Sequence, residues 1–519
     1  MNLISQVVLA CFALLPLVTG CGVGICAEYT NCPAPQASLA FSGTASFGSQ
    51  VFSTSATTTL TLTNSGTQAA SALSADALSL PFSFLGGTYP GTGGTCGTSL
   101  AAGASCTIRL QFTGAPPAGA QSATLRIQYS DGVTTAQSTV SLTGTIDNGA
   151  FAVTSGFNGS TNAFARVELP STQLYVSGSF SSYGATGVSN IARLNGDGTV
   201  DTTFAQGTGF NNMVRPVVMA VDGSGDVYAG GDFTSYNGTG SNFIARINSD
   251  GSYDAGFATG TGFDNTVFSI APATDGSGDI YVTGFFQNYN GNARNHIIRL
   301  NSDGSVDNGF NIGTGFDSWA ARVVVATDGS NDVYVVGYFG SYNGSAANGV
   351  VRLNSDGSVD AGFAPTSGLN GGAEFITLAE DGSDDIYVAG FSTGYNGTGI
   401  SYLARINSDG SLDAGFNTGA GFDAGLYGVA AATDGTGAVY ATGTFSTYQG
   451  IARAGIVRIL PTGTIDTDFA PGTGFDAFTS PVLPAMDGSA DVYIGGGFTN
   501  YSSSAAQRIV RVSPSGLAD

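Results

Sequence analysis

A 53-residue repeat constrains this chain more than any other feature. A tyrosine recurs at Tyr175, Tyr228, Tyr281, Tyr334, Tyr387, Tyr440 and Tyr493, always 53 residues apart. An arginine keeps the same interval from Arg193 to Arg511, and a phenylalanine keeps it from Phe151 to Phe469. Each unit holds four strand-sized segments. Val323 to Thr327 precedes an Asp-Gly turn, Asp332 to Gly337 follows it, Val350 to Asn354 is the third, and a weak fourth follows Ser355-Asp356-Gly357. Four antiparallel strands at a period of about 50 predict one propeller blade per unit. A solenoid would need polar end caps, and the sequence supplies none. The repeat region opens mid-unit at Phe151 and stops mid-unit at Asp519, and the half missing at one end is the half present at the other. That phase predicts seven blades closed by strands from both ends of the repeat region, an arrangement that removes open sheet edges.

The run Gly231-x-Phe233-x-x-Tyr236-Asn237-Gly238, followed by Ile244-Ala245-Arg246-Ile247-Asn248-Ser249-Asp250-Gly251-Ser252, resembles the delta-60 repeat of bacterial exported proteins. The resemblance implies a β-propeller over residues 147–519. It carries no settled activity, so it informs the fold more than the function.

Before the repeats, residues 37–146 read as a second all-β unit. Thr59 to Thr63, Ile108 to Phe112 and Leu125 to Tyr129 alternate with period two, and turn residues separate them. One apolar and one polar face per strand predicts an immunoglobulin-like β-sandwich ahead of the propeller. The stretch Gly94 to Ile108, together with Leu62 to Thr67 and Leu142 to Thr145, resembles the choice-of-anchor D domains of bacterial surface proteins, relatives of the ASPM/SPD-2/hydin group. That likeness implies a spacer or interaction module without catalytic residues.

Residues 1–20 read as a lipoprotein signal peptide. The apolar run Val7 to Val18 is too short for a typical membrane span, and it ends in Val18-Thr19-Gly20-Cys21. Small residues before a cysteine resemble a bacterial lipobox, which implies lipid on Cys21 and a tether over residues 21–36. The absence of Lys or Arg in Met1 to Gln6 departs from that pattern. The expected location is the bacterial cell envelope, lipid-anchored in the outer membrane because Gly22 rather than Asp follows the cysteine; plain secretion is the alternative. Four cysteines then remain in two close pairs, Cys26 with Cys32 and Cys96 with Cys106, which an exported chain would oxidise.

The formal net charge of −22, with all 15 basic residues Arg, leaves no basic face for nucleic acid. Contact with membrane is expected only through the lipid. A single histidine, His296, excludes a multi-histidine zinc site and reads as a surface or packing residue. The Asp222-Gly223-Ser224-Gly225-Asp226 turn and its echoes at Asp275 to Asp279 and Asp381 to Asp385 raise calcium as an alternative to ordinary hairpin turns, but the spacing is not that of an EF-hand, and no cofactor is expected.

The repeated arginine reads as structural. A three-residue hairpin loop at Ser249-Asp250-Gly251 places Arg246 opposite Asp254. The same spacing of eight gives the pairs Arg193–Asp201, Arg299–Asp307, Arg352–Asp360, Arg405–Asp413, Arg458–Asp466 and Arg511–Asp519. Positions that vary within the constant frame are read either as a functional surface or as drift in unconstrained loops. Variation concentrates after the second Phe of each unit and yields Arg215, Trp319, Arg322, Glu374, Tyr427 and Phe478 as candidate ligand-binding residues on one propeller face. The expected function is a non-catalytic binding or adhesion module for a protein or glycan at the cell surface. The alternative is a carbohydrate-active enzyme, a glycoside hydrolase or lyase, with two carboxylates at the channel mouth.

Overall fold

The computed structural model describes residues 36–51, 55–113, 119–147, 151, 156–167 and 173–519. The signal segment, Cys21, Cys26 and Cys32 lie outside the described residues. The chain divides into two compact units, the second running from Ile146 to Asp519. Among the described residues every regular element is a strand, and no helix is long and apolar enough to cross a membrane.

The first unit contains nine strands: β1 (Leu39–Ser42), β2 (Ser46–Val51), β3 (Ser55–Asn64), β4 (Ala70–Ala75), β5 (Phe82–Phe84), β6 (Ser99–Leu100), β7 (Ser105–Thr113), β8 (Gly119–Ser130) and β9 (Thr135–Asp147). They form two antiparallel sheets, β1-β3-β7-β5 and β2-β9-β8-β4-β6. The period-two pattern does the work expected of it. Leu60, Leu62, Ile108, Leu110 and Phe112 are buried while the residues between them face outward. The sheets meet through aromatic contacts, with Phe47 on β2 stacked 5.5 Å from Phe112 on β7. Cys96 and Cys106 form a disulfide that ties the segment before β6 to β7.

The second unit is a β-propeller of repeated sheets. Seven three-stranded antiparallel sheets follow one another, beginning with 160–166/174–179/191–194 and ending with 479–484/492–496/509–512. The weak fourth strand of each repeat is reduced to a single bridge, as at Ile247–Tyr253 and Leu353–Val359. A feature absent from the sequence reading is a two-residue hairpin inserted between the second and third strands, for example Ser235–Tyr236 with Thr239–Gly240. Its tyrosine explains the Tyr-Asn-Gly motif. The Tyr236 hydroxyl donates to the Gly251 carbonyl at 2.6 Å, and the same bond recurs in every repeat through Tyr501 to Gly516.

The outer half of each sheet is a charged clamp. Arg246, 7 % exposed, meets Asp222, Asp226 at 2.9 Å and Asp254 at 3.2 Å, and donates to the Tyr228 hydroxyl at 3.2 Å. All seven arginines lie within ion-pair distance of the aspartate eight residues on, from Arg193–Asp201 at 2.7 Å through Arg299–Asp307 at 3.2 Å and Arg352–Asp360 at 3.3 Å to Arg511–Asp519 at 3.5 Å. Arg405–Asp413 and Arg458–Asp466 complete the set. The simple cross-strand pair of the sequence reading is thus part of a larger cluster in most sheets. The acidic turn supplies one or two further carboxylates, so Asp222, Asp226, Asp275, Asp279, Asp381 and Asp385 each face the arginine of their own sheet. In the sixth sheet Ala438 replaces the second aspartate, and the Tyr440 hydroxyl there is buried without a hydrogen-bond partner among the described residues. Gly251 closes the hairpin at φ +89°, a left-handed conformation that favours glycine.

The clamp tyrosine is also packed edge-on by a phenylalanine 29 residues later, as in Tyr228–Phe257 at 5.2 Å and Tyr440–Phe469 at 5.6 Å. For Tyr493 that partner is Phe151, at 5.1 Å, and the Phe151 amide donates to the Asp519 carboxylate at 3.2 Å. Innermost strands contact their neighbours in succession, and the first also contacts the seventh. There the Thr161 hydroxyl donates to the Arg508 carbonyl and accepts from the Gly496 amide, matching the bonds Thr479 makes to Gly455 and Gly443 one sheet earlier.

Candidate functional site

Every innermost strand carries a β-bulge at the same repeat position. In the fourth sheet Ala320 pairs with Gly337 and Arg322 with Val336, which leaves Ala321 as the extra residue. Asn162, Phe268, Glu374 and Tyr427 are the extra residues of the first, third, fifth and sixth sheets. In the second and seventh the skip takes in Arg215-Pro216 and Ser480-Pro481, where the prolines have no N–H to offer the ladder. A bulge releases its extra residue from pairing and re-aims its side chain. The seven released residues are 53 apart in sequence, all differ, and all line one cavity of about 340 Å³, together with Trp319, Arg322 and Phe375.

Five of the six candidate residues therefore meet: Arg215, Trp319, Arg322, Glu374 and Tyr427. Phe478 does not line this cavity. It packs beside it, 6.5 Å from Tyr427, and is 39 % exposed. The sequence reading missed Asn162, Phe268, Ala321, Ser480 and Phe375. The signal was available, because stepping from Arg215 by 53 in both directions finds the whole ring. Asn162, Arg322, Phe375 and Ser480 also line a cavity of about 210 Å³ next inward, which shares Phe164, Val217, Val218 and Leu483 with a more apolar cavity of about 610 Å³ beyond.

Aromatic groups form much of the mouth. Trp319 stacks on Tyr338 at 4.2 Å and meets the edge of Phe268 at 5.3 Å. Phe391, 41 % exposed, lies 5.6 Å from Tyr427. Small residues give these rings their seats. A Cβ at Gly372 would lie 2.3 Å from Tyr338 Cδ1, so only glycine allows Tyr338 to lie there, and Gly425 does the same for Phe391.

The polar groups differ in how they are committed. Arg215 donates to Asp232 through Nε and Nη2, and Asp232 also accepts from the Thr266 hydroxyl at 2.7 Å. The Tyr338 hydroxyl donates to Glu374 Oε1 at 3.1 Å. Burial and then the Glu374 charge hold the Tyr338 phenol well above its ordinary value. Arg322 lies over the Phe375 ring at 5.1 Å, and its Nη1 donates to the Phe268 carbonyl. It makes no ion pair among the described residues. Burial pushes its guanidinium down to about 10, with Glu374 opposing the shift and Arg215 adding to it. Its side chain is only partly covered, because it lines the cavity. Glu374 is the one carboxylate among the described residues lining this mouth.

His296 is buried away from the mouth residues' cavity lining, with Nδ1 3.1 Å from the Gly284 carbonyl, and burial lowers its pKa. It serves packing.

No curated protein matches the chain. Among solved structures it is similar to the Pan2 WD40 domain of Neurospora crassa, at 11% identity over 67% of this chain and 91% of that one, with a TM-score of 0.39. It is also similar to a quinonprotein alcohol dehydrogenase-like protein of Bacteroides thetaiotaomicron, at 13% identity over 80% and 92%, with a TM-score of 0.34. A third likeness, to the VesB protease of Vibrio cholerae, has 18% identity, spans 21% of this chain and only 31% of that protein, and has a TM-score of 0.18. Likenesses at this level carry no argument about ligand or activity. The repeats themselves match the family described as "Domain of unknown function (DUF5122) beta-propeller" in six segments, residues 173–204, 223–257, 276–310, 329–363, 383–416 and 436–469.

Proposed function

We propose that this chain is a non-catalytic binding module of the bacterial cell envelope, which takes its ligand at the channel mouth ringed by Arg215, Phe268, Glu374 and Tyr427. In this reading the seven sheets are the blades of one propeller, closed where Phe151 packs on Tyr493 and Thr161 bonds into the seventh sheet. The first unit is an immunoglobulin-like spacer of the choice-of-anchor D kind, and lipid on Cys21 anchors the chain in the outer membrane.

One observation carries the binding reading. Seven positions related by an invariant repeat are freed by seven bulges, point at one cavity, and hold seven different residues. Freedom from the ladder alone lets such positions vary; what supports binding is that all seven varied side chains line the same cavity and include arginine, glutamate and aromatic groups. Hydrolysis of a glycoside by paired carboxylates is less well supported. Among the described residues Glu374 is the single carboxylate lining this mouth, and the nearby Asp232 is committed to Arg215 and Thr266.

The test is a glycan and envelope-protein binding screen of the full chain beside a Trp319→Ala, Arg322→Ala double variant. Loss of the detected ligand in the variant, with unfolding behaviour otherwise retained, supports the reading. Binding unchanged in the variant means another face is used.

A further inference from the structure

Three features of the mouth restrict what it can hold. The first is charge. Arg322 has no carboxylate within ion-pair distance among the described residues, and its hydrogen bond to protein there runs from Nη1 to the Phe268 carbonyl. Arg215 beside it is already satisfied by Asp232. A partly buried guanidinium with Glu374 nearby but no carboxylate in direct contact is costly, and an incoming anion that pairs with it relieves that cost. The fork of Arg322 suits a planar, two-oxygen acceptor such as a carboxylate. The second feature is Glu374, an acceptor on the same wall. It repels a compact, fully charged anion but accepts hydrogen bonds from hydroxyls. Asn162 and Ser480 add neutral donors and acceptors at the same level. The third is the aromatic wall of Trp319 and Tyr427, which offers apolar surface to a ring that has one apolar face.

We propose that the ligand is a carboxylate-bearing saccharide of the uronic-acid type, with its carboxylate on Arg322, hydroxyls on Glu374, Asn162 and Ser480, and its ring against the Trp319–Tyr427 wall. This rests on the mouth being the binding site, as proposed above. A neutral sugar would leave Arg322 without a direct ion-pair partner. A bare phosphate would meet Glu374 and gain nothing from the aromatic wall. The cavity, about 340 Å³, is at the lower end of the ligand-site range and takes one or a few sugar residues, with the remainder of a longer chain leaving past exposed Phe391 and Phe478.

The sequence supplies its own probe. Trp319 is the only tryptophan in the chain, so intrinsic tryptophan emission reports this cavity alone. The experiment titrates the full chain with trigalacturonate, with maltotriose as the neutral comparator and inorganic phosphate as the compact anion. A saturable emission change is expected with trigalacturonate only, weakening as salt is raised. Arg322→Gln should weaken it tenfold or more. Ser480→Asp should do likewise by adding a negative charge while leaving the Arg322 side chain in place, which guards against a folding defect in the first variant. No response to trigalacturonate, an equal response to maltotriose or phosphate, or unchanged affinity in both variants overturns the acidic-sugar assignment. The wider binding reading fails separately, if a ligand found by the screen binds without any change at Trp319 and survives the double variant.

Discussion

The outer half of each sheet and the channel mouth come from the same 53-residue unit under opposite rules. Outside, the arginine, its aspartate eight residues on, and the tyrosine beneath it recur in all seven repeats and make nearly the same contacts each time. Inside, the seven bulge residues are Asn, Arg, Phe, Ala, Glu, Tyr and Ser, and no two match. The difference teaches where each kind of position gets its constraint. The clamp is required by its own sheet, so every sheet asks for the same residues. The bulge residue is excused from the ladder, so the sheet asks almost nothing of it and the cavity can decide. Substitutions at the two positions should therefore have opposite signatures.

The largest effect should come from emptying a clamp. Arg405 is 7 % exposed and holds Asp381, Asp385 and Asp413. Arg405→Met leaves three carboxylates without their cation, which should cost on the order of 3–5 kcal/mol. Denaturant unfolding followed by far-UV circular dichroism measures it, while ligand affinity of the folded fraction should hold. A cost under about 1 kcal/mol would mean the clamps are ornaments on a fold held by its apolar core.

Acid should weaken the same clamps one carboxylate at a time, a smaller effect per group because these aspartates are partly exposed. Burial pushes the carboxyls of Asp222, Asp275 and Asp328 up, but the following serine's hydroxyl and amide and the clamp arginine outweigh it and bring each to about 2. A folded-state pKa below the unfolded one gives stability that is complete above about pH 4 and drains away as pH falls towards 2. Thermal unfolding between pH 5 and pH 2 should show that decline. Stability that does not fall across this window would separate the turns from the clamp.

Much of this architecture was legible beforehand, for a physical reason. Seven copies make an internal alignment, so residues that serve the sheet announce themselves by recurring, and Arg246 opposite Asp254 follows from hairpin register alone. Contacts that are local but not periodic in chemistry were harder. Calcium was only the alternative reading of the acidic turn, raised by aspartates close in sequence, and the arginine they meet was not foreseen because Arg246 is 20 to 24 residues away. The cavity ring was half found. Trp319 and Arg322 stand out by residue type, but Ala321 and Ser480 are ordinary residues whose importance lies in a bulge, and a bulge leaves no mark in composition.

The inserted hairpins offer an intermediate case, since they recur but lie outside the clamp. The Tyr342 hydroxyl donates to the Gly357 carbonyl at 2.7 Å and is buried. Tyr342→Phe keeps the ring contacts and removes only that donor, leaving the carbonyl without this partner. The expected cost is on the order of 1–2 kcal/mol by chemical denaturation. A neutral result would show that the motif is kept for the ring, which stacks tilted on Phe316 at 4.7 Å, rather than for the hydroxyl.

The smallest stability effect should come from the ring itself. Glu374→Gln keeps the size of the side chain and an oxygen that can accept from the Tyr338 hydroxyl. Glu374 is the extra residue between the Ala373–Gly390 and Phe375–Ala389 pairs, so no ladder bond depends on it. The unfolding midpoint should shift by no more than about 0.5 kcal/mol in either direction, as for a substitution outside the core. Ligand affinity should change more than stability does, because the charge removed faces the cavity and neighbours Arg322. If the reverse held, with a cost of several kcal/mol and no change in binding, Glu374 would belong to the frame, and the contrast between the repeated and the varied positions would fail at the residue where it is drawn most sharply.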